Sequence, residues 1–213
     1  MARKEVNVEL KPLEIKEITI TIEGDTPLIV NNFNEKTKQQ ILDTQMKKAK
    51  SEAREPKNPV ENFMRSLNWL TEMPNEFTKE AFEDALKNGA KFGFPATGVK
   101  KSAVSGAFRN KMAKDKVSLY GAFHIPLEYI EIKYDKINMR EDMVRVGMGT
   151  PDIRHRAEFE GWSMTFPIKY VENTYSLEQI INFFNIGGFG VGIGESRIEK
   201  GGTNGSYHVK ANN

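Results

Sequence analysis

Gly187-Gly-Phe-Gly-Val-Gly-Ile-Gly-Glu-Ser-Arg197 places five glycines in eleven residues, directly after a helix-like run from Ser176 to Ile186. A second cluster, Gly201-Gly-Thr-Asn-Gly205, follows shortly afterwards. Glycine loses more backbone entropy on ordering than any other residue, so this density indicates positions that need positive φ or a close approach. We therefore expect a ligand or another part of the protein to lie against this backbone.

The run before the glycines predicts a helix that begins at Ser176, because Ser176 and Gln179 form a capping-box pattern. The glycines thus follow a helix and precede a strand, which reverses the order of a dinucleotide-binding loop, and no Gly-Lys-Ser/Thr follows as in a Walker loop. Two interpretations stay open. In the first, the backbone amides bind phosphate or sugar oxygens, and Arg197 and Lys200 add charged contacts. In the second, the glycines only end the helix and form bulges in the strand that follows.

Outward from this segment, the hydrophobic pattern predicts strands over 13–23, 117–124, 127–134 and 162–170. Pro167 is expected to put the last of these at a sheet edge or a bulge. Helices are predicted over 35–50, 79–88 and 97–109, with Asn34, Thr78 and Thr97 as caps. This order predicts an α+β protein with an RRM-like (ferredoxin-like) antiparallel sheet core. We expect one domain over 1–213, with insertions at about 51–76 and 139–159.

The composition excludes several classes of site. The 213 residues include no cysteine, so disulfides, thiolate zinc sites and thiol nucleophiles are absent. No signal-peptide pattern and no apolar run of about 18 residues is present, so we predict a cytoplasmic protein with no membrane partner. The 31 basic and 29 acidic residues give a net charge of +2, so any anion-binding signal must be local. The sequence gives no sign of a cofactor or metal.

The segment 139–159 carries the best local signal for anion binding. Alternation along an extended chain puts Arg154 and Arg156 on one side and His155 on the other. The alternative is a solvated hairpin whose arginines pair internally with neighbouring acids, which are Glu141, Asp142, Glu158 and Glu160.

Catalytic signals are sparse. Asp25, at the turn after the first strand, is a candidate base or metal ligand, and His155 is a candidate histidine catalyst; such a turn aspartate more often satisfies the turn itself. The three histidines have no metal-ligand spacing. Four aromatic residues either stack bases on an open sheet face or pack in the core, and they are Tyr120, Phe123, Tyr129 and Tyr134.

Three stretches resemble motifs of the repeat-associated mysterious protein (RAMP) superfamily, particularly the backbone subunits of CRISPR effector complexes. They are Gly24-Asp-Thr-Pro-Leu-Ile-Val30, Phe94-Pro-Ala-Thr-Gly-Val-Lys100 and the glycine-rich stretch before the last strand. Val104 stands where the family's helix carries an arginine, and Lys101 replaces its usual glycine. The whole sequence also resembles uncharacterised proteins of phages and prophages.

The resemblance implies an RRM-like core, a thumb-like insertion over 139–159, and single-stranded nucleic acid lying along subunits stacked head to tail. Phosphate binding and close backbone approach ask little of base identity. The nucleic-acid-binding residues that we predict are Lys100, Lys101, Arg109, Arg145, Arg154, Arg156, Gly190, Gly192, Gly194 and Arg197.

Three functions follow as hypotheses. The first is a non-enzymatic, phage-type protein that binds single-stranded RNA or DNA and assembles as a homo-oligomer. The second is an endoribonuclease that uses Asp25, with or without a metal, or His155. The third is an inhibitor that mimics a subunit of a host defence complex of the CRISPR type.

Overall fold

The computed structural model describes residues 13–32, 42, 45–46, 58–146 and 150–211. The predicted helix over 35–50 and its cap Asn34 lie almost wholly outside the described residues, as do residues 51–57 of the first predicted insertion. Among the described helices, none is long and apolar enough to cross a membrane.

The described residues form ten strands, five α-helices and one short 3-10 helix. The strands are β1 (Ile15–Gly24), β2 (Leu28–Val30), β3 (Asn68–Trp69), β4 (Phe92–Pro95), β5 (Phe123–His124), β6 (Tyr129–Lys133), β7 (Lys136–Val146), β8 (Thr150–Glu160), β9 (Ser163–Val171) and β10 (Tyr207–Val209). The helices are α1 (Pro59–Ser66), α2 (Lys79–Lys87), α3 (Ala96–Arg109), α4 (Lys116–Ala122) and α5 (Leu177–Gly190), and the 3-10 helix is Ile198–Lys200.

The larger sheet has seven strands in the order β10-β1-β9-β6-β4-β3, with β5 pairing separately with β9. All of its pairs are antiparallel. In the chain, α3 lies between β1 and β6, and α5 connects β9 to β10. The prediction of an α+β protein with an antiparallel sheet is therefore confirmed.

The smaller sheet has three strands in the order β2-β8-β7. Its main part is a long antiparallel hairpin in which Lys136 faces Glu160 and Val146 faces Thr150. The segment 139–159 thus belongs to the hairpin β7–β8, which lies between β6 and β9 in the chain. Helix α1 packs on this hairpin, where the Ala157 amide donates to the Ser66 hydroxyl over 3.0 Å.

Helix α5 begins at Ser176 with the predicted capping box, but it continues to Gly190 instead of ending before the glycines. The reason is its packing against α3. A Cβ added to Gly187 would lie 2.7 Å from the Ala103 Cα, and one added to Gly106 would lie 2.6 Å from the Gly187 Cα. Glycine inside these two helices therefore allows their backbones to touch.

One predicted element and one predicted helix cap were wrong. Residues 116–122 form α4 instead of a strand, because the Asp115 side chain caps the helix by accepting from the Ser118 amide over 2.8 Å. Thr97 does not cap α3, which begins after Pro95 without a side-chain cap. The Thr78 cap of α2 is confirmed, with the Ala81 amide donating to its hydroxyl over 3.1 Å.

Pro167 lies in β9, which is an interior strand and not a sheet edge. On one side Pro167 faces Thr19 of β1. On the other side, β6 pairs with residues 163–164 and β5 with residues 169–170. Within the described sheet, proline thus stands at a gap between two partner strands, where a missing amide donor does not interrupt a ladder.

Candidate functional site

A cleft of about 580 Å³ opens between the first turns of α3 and the glycine segment. Strands β2, β3, β4 and β6, helix α4 and the 3-10 helix also contribute to its walls. Its polar and aromatic lining includes Asn68, Lys101, Tyr120, Tyr129, Arg197 and Glu199.

The three stretches that carry the family resemblance meet at this cleft. Val30 ends the first stretch, Phe94 to Gly98 begin the second, and Gly192 and Gly194 belong to the third. Close backbone contact joins the first and third, because the Glu195 amide donates to the Ile29 carbonyl over 2.9 Å. The fold therefore brings segments from the two ends of the chain and its middle to one place.

Gly192 and Gly194 have φ values of +71° and +78°, which side chains rarely adopt. A Cβ on Gly194 would lie 2.4 Å from the Ile29 carbonyl oxygen. The amides of Gly192, Ile193 and Glu195 donate to carbonyl groups of the protein over 2.9 Å each. These three amides are therefore not free to cradle phosphate, and the glycines act by shaping the cleft wall.

Gly190 lies apart from the other two predicted glycines. It is the last residue of α5 and is exposed, and a Cβ built on it meets nothing within 4 Å. It does not line the cleft. Nothing in its described surroundings requires glycine for close approach.

The neighbouring lysines of α3 have different environments. Lys101 is exposed and lines the cleft. Lys100 points to α4, where its ammonium donates to the Tyr120 carbonyl over 2.7 Å and lies 5.4 Å from the centre of the Phe123 ring. Burial lowers the pKa of Lys100. Lys101 is thus available to an anion in the cleft, whereas Lys100 fastens α3 to α4.

Arg197 and Arg109 share one carboxylate. The Arg197 Nη2 lies 3.0 Å from Glu199 Oε2, and Arg109 donates to Glu199 Oε1 from the far end of α3. Burial acts to raise the pKa of Glu199, but hydrogen bonds and charge from Arg197 and Arg109 outweigh it and lower that pKa. Both predicted phosphate-binding arginines are therefore already paired with an internal anion.

The arginines of the hairpin also pair with acids. Arg156 is buried at 8% exposure, and its guanidinium lies 3.5 Å from Asp142 and 3.9 Å from Glu195. Arg154 lies 3.4 Å from Asp152 on the same face. Arg145 is exposed near the hairpin end, opposite Pro151. None of these three arginines lines the cleft, and the internal pairing of Arg154 and Arg156 matches the alternative interpretation of this segment.

The cleft also has polar amides that the sequence patterns do not single out, from Asn31, Asn32 and Asn68. Asn68 is 9% exposed, and its side chain makes no hydrogen bond within the part of the chain that the structure describes. Buried polar groups are normally hydrogen-bonded to protein or water. Because the Asn68 amide has no such partner in the described structure, it is open to a ligand or water in the cleft. The sequence does not single out Asn68, because a two-residue strand is too short to show a periodic pattern.

The four aromatic candidates divide into two pairs. Tyr120 and Tyr129 line the cleft and are each 37% exposed. Phe123 is fully buried, and Tyr134 packs against Phe92 and Phe159. Two rings are therefore placed to contact a planar ligand, and two belong to the core.

The two catalytic candidates lie in different parts of the fold, and neither lines the cleft. Asp25 follows β1, and its carboxylate lies 2.7 Å from His208 Nδ1 on β10. His155 lies on β8 with Nε2 3.1 Å from the Glu141 carboxylate. Across the described residues, no group of three or more His, Asp or Glu side chains is placed to hold a metal ion.

None of the protein-family models matches this sequence, and comparison with curated proteins gives no match either. Comparison with solved structures gives a match to the crystal structure of Cmr6 from Pyrococcus furiosus, at 11% identity and a TM-score of 0.35. The match covers 93% of this chain and 100% of that chain. At this TM-score the likeness carries no weight for fold or function.

Proposed function

We propose that this protein binds single-stranded RNA or DNA in the cleft and holds it without cleaving it. The observation that carries the proposal is the joint presence in one cleft of two cations, two half-exposed tyrosines and a buried amide that has no partner among the described residues. Lys101 is placed for phosphate, whereas Arg197 lines the cleft paired with Glu199. Tyr120 and Tyr129 are placed for stacking on bases. The amide of Asn68 can pair with a base edge.

The charge of the cleft predicts a weak electrostatic contribution to the binding of a polyanion. Two basic residues, Lys101 and Arg197, line it together with two acidic ones, Glu195 and Glu199. Counterion release scales with the number of phosphates neutralised, so few free cations give a shallow salt dependence. The net charge of +2 agrees with this expectation.

We further propose that the core is RRM-like, as the resemblance to the RAMP superfamily implies. The strand order β10-β1-β9-β6 supports this, because α3 lies between β1 and β6 in the chain and α5 lies between β9 and β10. With the other elements treated as insertions, this is the order strand-helix-strand-strand-helix-strand. The hairpin β7–β8 is the counterpart that we propose for the thumb-like insertion. Its outer part exposes Met143 and Ile153, which face each other across the two strands.

Head-to-tail assembly of this phage-type protein on a single strand is part of the same proposal. The near-neutral charge supports it, since copies can approach without strong repulsion. Light scattering of the protein with and without a long single strand tests this. A mass that rises with strand length supports assembly, and a mass of one copy per strand at every length rejects it.

The test of the binding proposal compares two exposed lysines. We expect Lys101→Met to weaken binding of a labelled single-stranded oligonucleotide by about threefold to tenfold at low salt, because it removes a cation that meets a phosphate. Lys169→Met is the matched control, since Lys169 is exposed, lies on β9 and pairs with Glu17 at 3.5 Å. Fluorescence anisotropy measures both. Equal losses of affinity in the two variants would mean that only the net charge matters, and would reject the cleft as the binding site.

A further inference from the structure

Glu199 lines the cleft and pairs with Arg197, which also lines it, and with Arg109, which does not. Its Oε2 accepts from Nε and Nη2 of Arg197 over 3.1 and 3.0 Å, and its Oε1 accepts from Arg109. Two guanidinium groups thus converge on one carboxylate. Guanidinium groups bind phosphate and carboxylate through the same fork geometry, so a carboxylate in this position marks a phosphate-sized anion site.

We propose that Arg109 and Arg197 form a phosphate site at the edge of the cleft and that Glu199 is its internal competitor. A phosphate of the bound strand displaces the Glu199 carboxylate and takes its place between the two guanidinium groups. The inference rests on the proposed function, because it names the group of a nucleic acid that enters and the residue that must leave.

The exchange that we propose displaces the Glu199 side chain. The backbone around Glu199 is held independently, because its amide donates to the Val191 carbonyl over 3.0 Å and the Lys200 amide donates to the Arg197 carbonyl over 2.9 Å. The Glu199 side chain is 22% exposed, and that of Arg109 is 48% exposed. Ion pairs near the surface contribute little net stability, so exchanging one anion for another costs little.

The competing explanation is purely structural. Glu199 ties the end of α3 to the 3-10 helix through Arg109, over 90 positions of sequence. In that case the carboxylate only stabilises the fold, and its removal lowers the stability of the protein without creating an anion-binding site. The two explanations make opposite predictions for binding.

The first experiment is the substitution Glu199→Gln, which keeps the shape of the side chain and removes its charge. We expect single-stranded oligonucleotide to bind about threefold to tenfold more tightly, because phosphate no longer competes with a carboxylate. Glu199→Ala is expected to tighten binding equally, so the result does not depend on the folding of one variant.

The matched control is Glu17→Gln, which removes one negative charge from β1, outside the cleft, and frees Lys169. It changes the net charge equally and is expected to change the affinity by less than about twofold. Adding Arg109→Met to Glu199→Gln is expected to return the affinity to that of the wild type, since one of the two guanidinium groups is lost. Circular dichroism checks that each variant is folded.

The outcomes separate this inference from the function on which it rests. Binding by the wild type, with no greater increase in affinity in the Glu199 variants than in Glu17→Gln, overturns the internal competitor and leaves the proposed function standing. A double variant that keeps the whole increase overturns the role of Arg109. Failure of both the wild type and the Glu199 variants to bind at low salt overturns the proposed function as well.

Discussion

The two glycines Gly187 and Gly190 near the C-terminal end of α5 differ in what surrounds them, and this difference predicts different effects of alanine. Gly187→Ala would put a Cβ 2.7 Å from the Ala103 Cα and the Ser102 carbonyl oxygen, which are backbone atoms that cannot turn away. We expect it to lower the free energy of unfolding by about 1–3 kcal/mol through overpacking.

Gly190→Ala is the control for this change, because Gly190 lies in the same helix and its added Cβ meets nothing within 4 Å. It is expected to leave stability unchanged or raise it by about 0.4–1 kcal/mol, since alanine restricts the unfolded chain. Urea denaturation of both variants checks the pair. Equal effects would mean that the contact between α3 and α5 is not the reason for Gly187.

The sequence identifies some residues of the site but not the side chains with which they pair. The positions of Lys101, Gly192 and Gly194 follow from a helix entrance and a glycine pattern that are visible in the sequence. The pairing of Arg109 with Glu199 spans 90 positions, and only the folded chain shows it. Which cations stay free for a ligand is therefore a property of the tertiary structure, and composition alone does not reveal it.

The hairpin β7–β8 shows how an element can neutralise its own charges. Arg140 donates to Asp142 over 2.9 Å and to Glu158 over 2.6 Å, and these acids raise its pKa. Arg156 is more buried but lies 3.5 Å from Asp142, and its Nε has no hydrogen-bond partner in the described structure. Arg140 is thus the more exposed of the two arginines and has the closer carboxylate partners.

These contacts predict unequal effects of the same substitution on stability. Arg140→Met removes two charge-assisted hydrogen bonds and is expected to cost about 1–2 kcal/mol. Arg156→Met replaces a poorly compensated buried charge with an apolar chain, and we expect a change within about 1 kcal/mol or an increase in stability. Urea denaturation compares them. A larger loss for Arg156→Met would show that its long ion pairs are essential.

Element prediction succeeded where a cap and a regular period coincide. Thr78 begins α2 and Ser176 begins α5, because their hydroxyl groups accept from amides of the first turn. It failed at α4, where the apolar spacing of residues 117–124 fits a helix or a strand and Asp115 decides between them. Strands β3 and β4 have two and four residues, too few for a periodic signal.

In the folded molecule, the cleft exists only because three distant segments meet. The sheet places the end of β2 beside the glycine segment, and β4 leads directly into α3. The sequence predicts the α+β class and an antiparallel sheet from alternation, which is a local property. It does not predict which polar side chains the folded sheet exposes to a common space, because that depends on long-range strand order.

The proposed function requires that single-stranded nucleic acid lie in this cleft and not on the hairpin. Photo-crosslinking of the full chain to a single strand that carries halogenated pyrimidines, followed by mass spectrometry of the linked peptides, locates the strand directly. We expect crosslinks to Tyr120 or Tyr129, which line the cleft and are each 37% exposed. Crosslinks confined to the hairpin β7–β8, or none at low salt, would contradict binding in the cleft.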